Sequence, residues 1–213
     1  IVSGGVPSTL RQNAMQQSRG PALANKVIVL NPDGDNQLVY DVAVRTEGRL
    51  LALGASVFLT RGSTNNPTES ERISFSNKSS ADLMISLNVD SYVNDKAHGA
   101  ATYFYGSDAH GVHSIVGERF ASLVQREICA RTDLTNCRTH AKTWDSLRLI
   151  TAPAVRVDLG YISNSADAAR LARAEFRDTI AESFIIAIQR LYLAAEDDAK
   201  TGTLRISDLR SAG

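Results

Sequence analysis

Lys26-Val27-Ile28-Val29-Leu30-Asn31-Pro32-Asp33-Gly34-Asp35-Asn36 is the stretch on which the fold turns. Its apolar run, Val27 to Leu30, stops abruptly in a cluster of Asn, Pro, Asp and Gly, and a helical pattern starts almost at once. A fully buried strand spilling through a short turn into a helix reads this way. Open α/β sheets place their ligand sites at such strand ends. The segment Asn31 to Asn36 therefore has two readings: a working site, or a turn chosen for its backbone chemistry, with Asp35 or Asn36 capping the helix.

Working outward, residues 36–53 carry Leu38, Val39, Val42, Ala43, Leu50 and Leu51 at helical spacing, and Gly54 closes the run. Residues 55–60 read as a second strand, and Thr68 and Ser70 are both candidate caps for the helix that follows. A third buried strand spans 83–89, and 99–105 alternates as a fourth. A long amphipathic helix covers 112–130, a polar loop 132–143, and a fifth strand 154–159. Ser165 is placed to cap the next helix, and a last helix spans about 175–195. Strands alternating with helices predict a three-layer α/β fold, a mostly parallel twisted sheet flanked by helices.

The 213 residues divide into an arm or linker at 1–25, one domain at 26–195 and a polar C-terminal tail at 196–213. With 43% hydrophobic residues the chain can bury a real core, and 23 basic against 23 acidic side chains leave no charge field to attract nucleic acid. No apolar run approaches the roughly 20 residues of a membrane span. The chain opens at Ile1 with neither Met nor a basic-then-apolar leader, and reads as a fragment of something longer. Cys129 and Cys137 are too few for a disulfide framework and are read as free thiols of a reducing compartment, hence cytoplasmic.

Four segments carry a resemblance: Val27 to Pro32, Phe58-Leu59-Thr60-Arg61, Ala81 to Asn88, and Pro153 to Asn164. In this order and spacing they resemble the four signatures of the zinc-dependent N-acetylmuramoyl-L-alanine amidases (Amidase_3), over about residues 26–194. The resemblance implies an Amidase_3-like fold. It also implies cleavage of the lactyl-amide bond between muramic acid and L-alanine by a zinc held on His, Glu and His, with a second Glu activating water. Catalytic zinc needs about three N or O donors and an open water position. The base must be a carboxylate that reaches that water.

Set against that pattern, all four slots are changed. Gly34 falls where the first His is placed, and Asp35 is the one carboxylate near the Glu slot. Asn88 replaces the second His, and Asp158 replaces the catalytic Glu, one methylene shorter. A displacement of about 1 Å can cost about a hundredfold in rate. The expectation is a chain that is not an enzyme, with its zinc site lost and no cofactor. Asp33, Asp35, Asn88, Asp90 and Asp158 are hard oxygen donors that would suit Mg²⁺ or Ca²⁺ rather than zinc. His98, His110, His113 and His140 fall in no ligand slot and read as surface residues.

The run Cys137 to Leu149, with Arg156 to Tyr161 after it, resembles a branch of actinobacterial amidase-like regulators of peptidoglycan precursor synthesis. That branch implies binding and activation of the enolpyruvyl transferase MurA after a serine/threonine protein kinase has modified a C-terminal threonine. Here Thr201, and then Thr203, follow the acidic pair Asp197-Asp198. Phosphate there would add about −1.5 to −2 charges. Arg138, His140, Trp144 and Arg148 are candidate partner contacts, Trp and Arg being enriched at interface hot spots; the alternative is a solvated loop with Trp144 in the core. Two other functions stay open: a module binding a muropeptide or a precursor in the groove, and a zinc amidase with rearranged ligands.

Overall fold

Residues 22–107 and 111–192 are described in a computed structural model of the chain. Seven strands form one sheet: β1 (Val27–Pro32), β2 (Ser56–Leu59), β3 (Leu83–Asp90), β4 (Ala100–Ser107), β5 (Val112–His113), β6 (Asn136–Lys142) and β7 (Ala154–Tyr161). Among the described residues six helices accompany them: α1 (Gln37–Ala52), α2 (Glu69–Lys78), α3 (Ile115–Arg131), α4 (Asp145–Arg148), α5 (Ser165–Ala172) and α6 (Ala174–Tyr192). The strand order is β2-β1-β3-β7-β4-β5, with β6 also pairing with β4. The pairs β2/β1, β1/β3, β3/β7 and β4/β6 are parallel, while β4 runs antiparallel to β7 and to β5. The mostly parallel three-layer arrangement is the one the alternation of elements predicts.

The two faces of the sheet are unequal. Ile28 and Leu30 of β1, Leu83, Ile85 and Leu87 of β3, and Val155, Val157 and Leu159 of β7 point into one large core. There Val42 and Leu50 of α1, Phe120 and Ile128 of α3, and Ile180, Phe184 and Ile188 of α6 meet them, all fully buried. The opposite face carries a small cluster, Val29, Met84, Ala154, Leu147 and Ile150, with Ile73 of α2 against it. Leu23 joins the large core, its amide N–H donating to the Leu53 carbonyl at 3.0 Å, so a turn over 22–25 closes the bottom of β1.

Local chemistry explains the element ends. Asn36 caps α1, its side chain accepting from the Leu38 N–H at 2.8 Å. Thr68 is the cap of α2 and makes a reciprocal capping box with Glu71. Two expectations are corrected. The cap of α5 is Asn164, which accepts from the amides of Ala166 and Asp167, while Ser165 is the first helical residue. The expected polar loop 132–143 is largely the strand β6. Its side chains alternate between exposed and half-buried on an open sheet edge, so its polarity hid a backbone fully committed to β4.

Candidate functional site

Register places a polar row across the thinly covered face. Asn31 pairs with Ser86, Ser86 with Arg156, Arg156 with Tyr103, and Tyr103 with His140, so five adjacent strands present these side chains on the same side. One step along, Asn88 pairs with Asp158. The row lies toward the C-terminal ends of β1, β3 and β7, where the strand-end segment Asn31 to Asn36 also emerges.

Two buried arginines brace that segment. Arg72 of α2 donates to Asn31 Oδ1 and to the Pro32 carbonyl, each at 2.8 Å, and to the Pro67 carbonyl at 2.8 Å. Arg61 donates to the carbonyls of Pro32 at 2.9 Å and Asn36 at 3.0 Å. Asn31 completes the network by donating to Ser86 Oγ at 2.9 Å and accepting from Thr60 Oγ1 at 2.6 Å. Burial pulls both guanidinium pKa values down from the usual arginine range. Gly34 turns the chain with φ 63°, in the left-handed region that glycine enters without strain.

The centre of the row is an ion cluster. Arg156 Nε donates to Asp158 Oδ1 at 2.9 Å, and its Nη1 lies 3.6 Å from Asp33 Oδ2. Asn88 Nδ2 also donates to Asp158 Oδ1, at 3.0 Å. Asp158 is only 3% exposed. Trp144 sits over this cluster, with the Arg156 guanidinium 5.4 Å and the Lys142 ammonium 5.6 Å from its ring. Tyr103 packs 4.9 Å from Trp144 and stacks 5.7 Å from His140. Burial and the Asp158 carboxylate push the Tyr103 phenol well above its usual range.

A bulge shapes the far wall. The β3/β7 register shifts between Asn88 and Asp90, where Leu159 and Gly160 stand against Val89 alone. Gly160 has φ 127°, and a Cβ on it would meet Asp167 Oδ2 at 3.0 Å. That buried carboxylate accepts from the amides of Gly99 at 2.8 Å and Tyr161 at 3.1 Å, tying the start of β4 to the end of β7.

The family's zinc does not fit these residues. Gly34 offers no side chain, Asn88 presents its N–H₂ to Asp158, and the Arg156 guanidinium already donates to Asp158 Oδ1. A cation in that place opposes a second one. Among the described residues no group of three or more His, Cys, Asp or Glu is placed to hold any metal ion, hard-oxygen sets around Asp33, Asp35 and Asp90 included.

The four candidate contacts do not form one patch. His140 and Trp144 join the row with Tyr103 and Arg156. Arg148 pairs with Asp145 at 2.7 Å within α4, and Arg138 lies on the other side of β6, against α3. His98 and His113 hold only local contacts, with the Lys96 carbonyl and with Glu118. His110, Thr201 and Thr203 lie outside the described residues, as do the arm up to residue 21 and the tail. Tyr103 and Arg72 were not singled out from the sequence, and Arg61 stood there only as the last residue of the second signature segment. Tyr103 showed only as one member of an alternating strand. Arg72 showed only as a charge directly before Ile73 in a capped helix.

A scan of protein families matches the N-acetylmuramoyl-L-alanine amidase model over residues 31–190. The Mycobacterium tuberculosis protein named N-acetylmuramoyl-L-alanine amidase CwlM is 38% identical over 225 residues, covering 98% of this chain and 55% of that protein. The germination-specific N-acetylmuramoyl-L-alanine amidase of Bacillus subtilis is 26% identical over 205 residues, 82% of this chain and 83% of that one. In fold the chain is similar to the solved structure of the amidase AmiC2 of Nostoc punctiforme, with TM-score 0.70 at 21% identity over 79% of this chain and 97% of that one. These names correct the expectation that the chain is not an enzyme: its relatives and structural neighbours are named as amidases, and inactivity is not shown. Over three quarters of its length, by signature order, family match and sheet topology together, the chain belongs to the N-acetylmuramoyl-L-alanine amidase family.

Proposed function

We propose that this amidase-family domain serves peptidoglycan metabolism as a regulator of precursor synthesis, through contact with the enolpyruvyl transferase MurA. Phosphorylation of Thr201 by a serine/threonine protein kinase gates that contact, with Thr203 as a second acceptor. The observation that carries the reading is Trp144, 38% exposed and flanked by Lys142 and Arg156 on a sheet face that only two short helices cover. An aromatic anchor set among cations is the composition that interface hot spots favour. The resemblance of residues 137–149 to the actinobacterial regulators supports the same reading, as does the likeness to CwlM over nearly the whole chain. A pull-down of MurA with unmodified and Thr201-phosphorylated protein tests it. Retention by the phosphorylated form, lost in Trp144→Ala, is the expected result; no retention by either form removes the proposal.

The names of the relatives favour a second reading, amide hydrolysis at the same cleft with Asp158 as its carboxylate. Release of peptide from muropeptides by the purified chain, abolished in Asp158→Ala, would establish it. Zinc content measured on the same preparation shows whether a metal takes part.

A further inference from the structure

An apolar groove of about 340 Å³ lies at the foot of β7, between the first turn of α3 and residues 147–154. Leu147, Ile150 and Ala154 form its buried floor, and Tyr105, Ile115 and Val116 stand around it. Ile115 is 75% exposed and Val116 43%. These two directly follow the Ser114 cap, in a turn where helices favour acidic side chains. Left in water there, both forgo the stabilisation that burial supplies. The charged residues of the rim are already matched, Arg148 with Asp145 at 2.7 Å and His113 with Glu118 at 3.2 Å. The groove therefore calls for an aliphatic occupant rather than an ionic one.

The end of α6 lies close by. Tyr192, its last residue, donates its hydroxyl to the Asp82 carbonyl at 3.5 Å, at the foot of β3. Beside it, the Pro153 carbonyl accepts from the Met84 N–H at 3.0 Å, and Pro153 lines the groove. The Tyr192 hydroxyl is thus on the order of 10 Å from the groove wall. Residues 193–213 follow, and they include Thr203-Leu204-Arg205-Ile206-Ser207. Leu204 and Ile206, two apart, share one side of an extended chain. Residues 193–203 can span up to ~35 Å, enough to pass under the foot of β3 and β7 and bring that pair to the groove. The arm starts from the same place, since Ala22 and Tyr192 line one hollow, but residues 1–21 hold no two large aliphatics at that spacing.

We infer that the segment Thr203 to Ser207 docks in this groove as a strap on its own domain. Leu204 and Ile206 lie over Leu147, Ile150 and Ala154 and against Ile115, while Arg205 faces water. One wall of the groove is α4, which begins directly after Trp144, so the strap also steadies the segment that carries the exposed ring. The inference does not rest on the proposed partner contact.

Methyl resonances of the full 213-residue chain test it. Leu204 and Ile206 are expected to show nuclear Overhauser contacts to Ile115, Val116 and Ile150 that do not depend on protein concentration. In the chain carrying Leu204→Ser and Ile206→Ser the groove methyls should move, and an added peptide of residues 201–210 should return them saturably. Ile115→Glu in that chain should weaken the peptide about tenfold. The replaced side chain is exposed, so an unchanged melting temperature is expected alongside the lost affinity. Absent contacts, groove methyls that stay in place in the doubly substituted chain, or peptide binding undiminished by Ile115→Glu would each overturn it. So would contacts found only between differently labelled copies, or contacts made by the arm in place of the tail.

Discussion

The two faces of the sheet follow different rules. On one, α1, α3 and α6 bury Phe120, Phe184, Leu50 and their neighbours to zero exposure, and nearly every strand residue is aliphatic. On the other, α2 and the four-residue α4 cover only the lower part, and the strands present Asn31, Ser86, Arg156, Tyr103 and His140 in a line. The first face obtains its stability from area removed from water and needs no particular geometry beyond dense packing. The second sets polar groups in low dielectric, where each must find a partner. Here the partners are one another: Asp158 is shared by Asn88 and Arg156, and Asn31 by Thr60, Ser86 and Arg72. In this amidase-family chain the cleft is therefore knit together from within.

Substitutions on each face put that contrast at risk. Phe184→Ala, in the apolar core, is expected to cost about 3–5 kcal/mol, read from the denaturant midpoint. Arg72→Met should cost about 2–4 kcal/mol, because it strips donors from Asn31 Oδ1 and the Pro32 and Pro67 carbonyls in a buried place. A loss below about 0.5 kcal/mol in the same assay would mean that the bracing of Asn31 to Asn36 is decorative. Trp144→Ala should change stability by less than about 1 kcal/mol while removing the partner contact, since the ring is half-exposed. Equal losses for Trp144→Ala and Phe184→Ala would erase the distinction between the faces.

The smallest effect concerns acid. Asp178 of α6 accepts from Arg49 at 2.8 Å and pairs with Arg45 at 3.0 Å, and these bonds hold its carboxyl below the usual range. Burial works to raise Asp41, but bonds from Arg45 and Arg177 outweigh it and leave that group lowered as well. A carboxyl whose folded pKa is depressed contributes stability that is present above its unfolded value and lost as pH falls through the folded one. Stability should therefore decline below about pH 4, and the decline should flatten in the chain carrying Asp41→Asn and Asp178→Asn. An unchanged slope would show that α1 and α6 are held by packing alone.

Much of the apolar face was legible in the sequence, because burial writes itself in periodicity. Val27 to Leu30 and Leu83 to Leu87 could be little else than central strands, and Val39, Val42 and Leu50 trace the buried stripe of α1. The site was legible only in part. Gly34, Asn88 and Asp158 were found by their slots along the chain, and two of them do meet, at 3.0 Å. Tyr103 and Arg72 were not found, since their roles come from strands and helices distant in sequence. β6 was missed because an edge strand facing solvent carries loop-like polarity.

By itself the sequence determined the α/β class, the strand-end segment from Asn31 to Asn36, and the change of side chain at each slot of the amidase pattern. These are properties of residue type and local order, and chain chemistry alone expresses them. Only the tertiary structure decided that Arg156 stands between Asp33 and Asp158, that Arg138 and Trp144 lie on opposite sides of β6, and that Ile115 and Ile150 line one groove. Those facts follow from register. In a strand one residue of shift sends every side chain to the other face, and no local pattern encodes which neighbour a polar group will meet there.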